Sequence, residues 1–111
     1  MVSSATYPAL TGSLPAVMSA PTYGRELPLA VPDGRPVTIS DDLQTPAITR
    51  QASPARQAIN AGLDLLMYAQ TEEGSAAAYA RLVIEARAGL VSGTRVRAAY
   101  AAIMALKRRL G

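Results

Sequence analysis

All eight prolines of this 111-residue chain lie at or before Pro54. Proline lacks a backbone N–H and clashes with the carbonyl four residues back, so it excludes helix interiors; it also pushes the preceding residue toward extended geometry. Long helices are therefore confined to the stretch after Pro54. The sequence predicts a mainly α protein in two parts. Residues 1–52 form an extended proline-rich arm with a short β-hairpin, and residues 53–111 form a small three-helix C-terminal bundle.

The bundle follows from apolar periodicity. Ser53 and Pro54 make a favoured helix start, and Ala55, Ile59, Leu63 and Leu66 recur at helical spacing. Thr71 with Glu72 and Glu73 suits a second start, because acidic side chains favour the positive end of a helix. Tyr79, Leu82, Val83, Ala86 and Leu90 then share a face. Ser92-Gly93-Thr94 interrupts the pattern and caps a third helix, on which Val96, Ala99, Tyr100, Ile103, Leu106 and Leu110 align. The expected helices span about 54–70, 72–90 and 94–110. With no Phe, no Trp and several alanines in core positions, such a bundle is marginal alone.

Residues 1–24 carry no charge, and Pro8, Pro15 and Pro21 divide them. Disordered tails are normally charged and poor in apolar residues. This one offers Tyr7, Leu10, Leu14, Val17 and Tyr23, a set suited to a groove or sheet edge on a neighbouring chain. Between 27 and 39, Leu27, Leu29 and Val31 alternate, as do Val37 and Ile39. The turn sequence Pro32-Asp33-Gly34-Arg35 separates them, which predicts the hairpin.

The absence of Cys and His excludes disulfides, thiol nucleophiles, imidazole catalysis and zinc sites of the usual ligand type. Neither phosphate-binding glycine motif occurs. Asp41-Asp42 is the best carboxylate pair, but without converging oxygen ligands it suits turn and cap roles better than a metal site. No catalytic residue, cofactor or metal is expected, and no enzyme. Net charge is +3, and from Arg95 onward there are only bases: Arg95, Arg97, Lys107, Arg108 and Arg109. Those five are the candidates for phosphate contact. No apolar run is long enough to span a bilayer, and the N-terminus lacks the pattern of a signal peptide, so a cytoplasmic origin and no membrane role are expected.

The expected function is that of a non-catalytic assembly subunit. Its arm would lace along protein neighbours, copies of itself included, in a large complex such as a phage-like virion, where it would serve as a capsid or tail accessory. The alternative is a small basic protein that binds nucleic acid through its third helix.

Overall fold

The computed structural model describes every residue, 1–111. Four short helices occupy the proline-containing stretch: α1 (Pro8–Thr11), α2 (Leu27–Ala30), α3 (Pro46–Thr49) and α4 (Pro54–Ala61). Each has proline in its first turn. At that position the missing N–H has no helical partner to lose, and the fixed φ is already helical. The prolines thus start brief helices instead of holding the chain extended, and residues 1–52 are not an arm. A 3₁₀ turn (Ala16–Met18) and a wide π turn (Thr22–Glu26) leading into α2 bring the intervening residues back on themselves.

The hairpin expected near 27–39 does not form. Leu27–Ala30 is helical, because Pro28 in a first turn outweighs a short apolar alternation. The strands lie elsewhere. β1 (Ile39–Asp42) pairs in parallel with β2 (Leu65–Met67). Val2 lies on the other side of β1, donating to the Ile39 carbonyl at 2.7 Å and accepting from Asp41 N at 3.0 Å. Three segments therefore run parallel in chain order, Val2, β1, β2, with helical turns between them. Each crossover places the next strand beside the last, which is the layout of a βα repeat.

The helix expected over 54–70 ends at Ala61. Gly62 sits at φ +142°, which favours glycine. A Cβ there would come within 2.6 Å of Tyr23 Cβ, so glycine also permits a close approach. Beyond it, Leu65–Met67 is apolar on both sides of the strand, a composition that suits a parallel sheet as well as a helix.

One core draws on both halves of the chain: Val17, Met18, Tyr23, Leu43, Ile48, Ala58 and Leu63, with Val2, Ala61, Leu66 and Tyr68 packed against it. Tyr23 donates its hydroxyl to the Val17 carbonyl at 2.7 Å, and burial pushes its pKa up. Val17 and Tyr23, expected to face a partner, are therefore internal to this chain.

The long helices are α5 (Glu72–Arg87) and α6 (Gly93–Leu110). Thr71 Oγ1 caps the first by accepting from Gly74 N at 3.0 Å, and Ser92 Oγ caps the second by accepting from Arg95 N at 3.2 Å. Both lean on α4. They do not close into a bundle around their own apolar stripes. The one buried side chain of α5 is Glu85, while Tyr79 and Ile84 are 71% and 67% exposed. The protein is helix-rich as expected, with a small parallel sheet in place of the hairpin.

Candidate carboxylate site at the strand ends

Ile39 lies opposite Leu65, and Asp42 lies opposite Met67. Three steps along β1 thus match two along β2, so β1 carries one extra residue. Such a bulge bends a strand and re-aims a side chain, and bulges concentrate beside active sites. Within it Ser40 is fully buried and accepts from Met67 N at 2.8 Å, whereas Asp41 is exposed.

The two neighbouring carboxylates have different roles. Asp42 accepts from Gln44 N at 3.1 Å, from Ala69 N at 3.2 Å and from Gln70 Nε2 at 2.9 Å. Desolvation works against its charge, but these donors outweigh it and hold the carboxyl below its usual range. Asp42 thereby ties the end of β1 to the chain leaving β2. Gln44 extends the tie, accepting from Gln70 N at 2.8 Å and donating to Thr71 Oγ1 at 3.0 Å. Asp41 accepts only from the adjacent Asp42 N, at 2.8 Å, and forms no ion pair. An exposed, uncommitted carboxylate thus stands at the C-terminal end of a parallel strand, where βα-repeat folds place reacting groups because the following loops can surround them.

At the opposite end of the strands a buried clasp holds the sheet together. The side chain of Asp64 is fully buried. It accepts from Arg35 Nη1 at 2.9 Å, Arg95 Nη2 at 3.3 Å, Thr38 N at 2.9 Å and Thr38 Oγ1 at 3.0 Å. Burial disfavours the charge, but the Arg35 and Thr38 hydrogen bonds prevail and the carboxyl titrates below its usual range. Arg95 also donates to the carbonyls of Ile59, Gly62 and Leu63.

Of the five bases expected to meet phosphate, Arg95 is thus engaged internally. Arg97, Lys107, Arg108 and Arg109 stay exposed along α6. Of the five expected partner contacts, Tyr7 and Leu10 are exposed, Leu14 is half-buried, and Val17 and Tyr23 are in the core. Neither set is gathered into a site. A cleft of about 510 Å³ opens between α5 and the body, and its lining includes Ser53, Arg56, Arg81 and Glu85. Desolvation opposes the charge of Glu85, but Ser53, Arg81 and Arg56 keep its carboxyl below the usual range.

The sequence identified Asp41-Asp42 as the best carboxylate pair and assigned both to turns. That role fits Asp42 alone. What separates them is the bulge, which depends on a pairing partner 25 residues away and leaves no local signal.

No protein-family profile and no curated protein matches this sequence. Solved structures do. A glycoside hydrolase family 3 β-N-acetylglucosaminidase from Paenibacillus sp. str. FPU-7 superimposes with a TM-score of 0.80 at 28% identity, over 92% of this chain and 20% of that one. A family 3 glycosyl hydrolase from Mycobacterium smegmatis str. MC2 155 gives 0.69 at 28% identity, over 87% of this chain and 31% of that one. CbsA from Thermotoga neapolitana gives 0.84 at 19% identity, over 98% of this chain and 24% of that one, and this likeness concerns the fold alone. The chain thus spans between 20% and 31% of the length of the solved chains it matches.

Proposed function

We propose that this chain is the carboxylate-bearing segment of a glycoside hydrolase domain, with β-N-acetylglucosaminides as the substrate class and Asp41 as the group that meets the anomeric carbon. The observation that carries this reading is the division of labour in the β1 bulge. Asp42 is tied by three donors from other residues while Asp41 stands free beside it. The likeness to two family 3 glycosidases at 28% identity supports the reaction class, and the Paenibacillus enzyme supports the sugar.

Glycoside hydrolysis passes through an oxocarbenium-like transition state, and a carboxylate on one face of the ring stabilises or captures that positive charge. A second group must protonate the leaving oxygen. Asp42, Asp64 and Glu85 are each held in hydrogen bonds or ion pairs that favour the charged form, so none is suited to be that acid.

The test places residues 1–111 in the Paenibacillus enzyme in exchange for the stretch they match, and follows hydrolysis of a chromogenic N-acetylglucosaminide. Asp41→Asn should lower kcat by at least about 10²-fold, the lower end for a positioned catalytic group. An Asp41→Asn chimera as active as its parent would remove Asp41 from the chemistry.

The assembly role expected from the sequence depended on a free arm, and the arm's central residues belong to the core. Tyr7, Leu10 and Leu14 are what remains for such a contact. Nucleic-acid binding would rest on Arg97, Lys107, Arg108 and Arg109, all exposed on α6.

A further inference from the structure

Helix α5 is tied to the body at two points and leaves a hollow between them. At its start, Gln44 Nε2 donates to Thr71 Oγ1 at 3.0 Å, and Gln44 Oε1 accepts from Thr71 N at 3.2 Å. Gly74 belongs to the same contact, because a Cβ there would collide with Gln44 Nε2. Nearer its end, Arg81 donates from Nη2 to Ser53 Oγ at 3.0 Å and from Nε to Glu85 Oε1 at 3.2 Å. Gly74 and Arg81 stand seven residues apart on α5, which is about 10 Å along a helix. Between them α5 lines the cleft with Ala77 and Ala78, whose methyl groups are too short to fill it. The space left, about 510 Å³, is that of a small-molecule site. Leu43, Ala55, Tyr68 and Leu82 make much of the remaining wall apolar.

The charged groups gather at the Arg81 end. Ser53 holds the N-cap position of α4, yet its hydroxyl caps nothing and accepts from Arg81 instead. Its backbone sits at φ +44°, in the left-handed region. Holding a residue other than glycine there costs free energy, and such strain collects at ligand clamps and active sites. The side chain of Arg56 is 27% exposed, and its Nη1 lies 3.8 Å from Glu85 Oε1. That is too long for a hydrogen bond, and the guanidinium meets no other protein acceptor. Two arginines here face one glutamate, which leaves an excess of one positive charge.

We propose that the cleft beneath α5 binds a small monocarboxylate with an apolar chain. The carboxylate sits on the Arg56 guanidinium, whose planar fork suits two oxygens, and the chain runs under Ala77 and Ala78 toward Gly74. Three observations select that ligand. The single excess positive charge matches a single negative one. Arg56 offers donors that have no protein acceptor to give up. The stretch between the two contacts of α5 is lined by small and apolar side chains, so a chain and not a second polar group fits there. Asp41 does not line the cleft, and the inference does not rest on the glycosidase reading.

The experiment titrates octanoate, whose chain is close to the length of the hollow, into the free chain at neutral pH. Backbone amides and arginine Nε groups are followed by nuclear magnetic resonance. Saturable shifts should appear at Ala77, Ala78 and Arg56 Nε. Acetate, which has the head alone, and 1-octanol, which has the chain alone, should each bind at least about tenfold more weakly. Arg56→Gln should weaken octanoate by at least about tenfold and leave 1-octanol unchanged. Glu85 keeps Arg81 in that variant, so the fold is retained. Ala78→Leu fills the hollow and should abolish binding of both without lowering the melting temperature.

Shifts that do not saturate would overturn the site. So would 1-octanol binding as tightly as octanoate, or Arg56→Gln binding octanoate as tightly as its parent, since either removes recognition of the carboxylate. An Ala78→Leu chain that still binds would put the ligand elsewhere. A free chain that is dimeric through Ala77 and Ala78 would give the cleft to a second copy. The titration is repeated in the chimera with the Paenibacillus enzyme. Shifts lost there while the free chain binds would give the cleft to another segment of that enzyme, and would also overturn the site.

Discussion

Replacing Asp64 with alanine removes the centre of the buried clasp, and the structure sets the size of the effect. Arg35 has a side chain 42% exposed and can turn to water, so losing its ion pair costs no more than about 1 kcal/mol. Arg95 keeps the carbonyls of Ile59, Gly62 and Leu63 and is not stranded. The main cost falls on Thr38, which is 4% exposed and loses the acceptor of both its N–H and its hydroxyl. A buried polar group left without a partner costs about 1–3 kcal/mol. Two such groups put the expected loss at about 2–6 kcal/mol, against a total of roughly 5–15 kcal/mol for a domain. With about 4 °C per kcal/mol at this size, Tm should fall by about 8–24 °C. Urea unfolding followed by far-UV circular dichroism measures it, with Arg25→Ala as a control, because the Arg25–Glu26 pair is exposed and worth little. The Asp64 carboxyl is depressed in the folded protein, so between its folded value and the usual value near 4 the unfolded chain binds more protons. Its contribution is therefore complete above about pH 4 and is lost as pH falls through the folded value. Asp64→Ala should flatten that acid limb, leaving the part due to Asp42 and Glu85. A loss below about 1 kcal/mol with an unchanged acid limb would reduce the clasp to a surface ion pair and refute the reasoning.

Gly62→Ala should cost at least about 2 kcal/mol in the same assay, since it combines a strained φ with a Cβ 2.6 Å from Tyr23; a neutral result would mean that α4 and Tyr23 can separate freely. Deleting residues 2–24 removes Val17, Met18 and Tyr23 from the core and should abolish cooperative thermal unfolding. A truncated chain that still melts cooperatively would restore these residues to the status of an arm.

The parts of the fold legible in the sequence are those decided locally. Thr71 and Ser92 start α5 and α6 where capping chemistry puts them, and Glu72 and Glu73 fill the first turn of α5. The parts that were not legible depend on distant partners. Gly62 marks the end of α4 locally, but the apolar run at Leu65 does not by itself distinguish a strand from a further helical turn; β1 decides it, and Asp64 holds the pair through Arg35 and Arg95. Proline has the same ambiguity. It forbids a helix interior and favours a helix start, and the second role prevails at Pro8, Pro28, Pro46 and Pro54. For the candidate site, residue type was visible at Asp41 and Asp42, but the asymmetry between them arises from donors at Ala69 and Gln70.

The span of the Asp64 clasp also bears on how the chain is made. Arg95 follows Asp64 by 31 residues, and Arg35 precedes it by 29. At roughly 5–20 residues per second on the ribosome, Asp64 waits about 2–6 s for its second guanidinium. Links of that length repay the closing of a long loop only once it has closed, so the Arg95 arm of the clasp belongs to the late part of folding, whereas Arg35, Thr38 and β1 precede Asp64. Until then Arg35 and Thr38 are the partners that the Asp64 carboxylate can meet. Codons between Asp64 and Arg95 that slow translation would lengthen that interval.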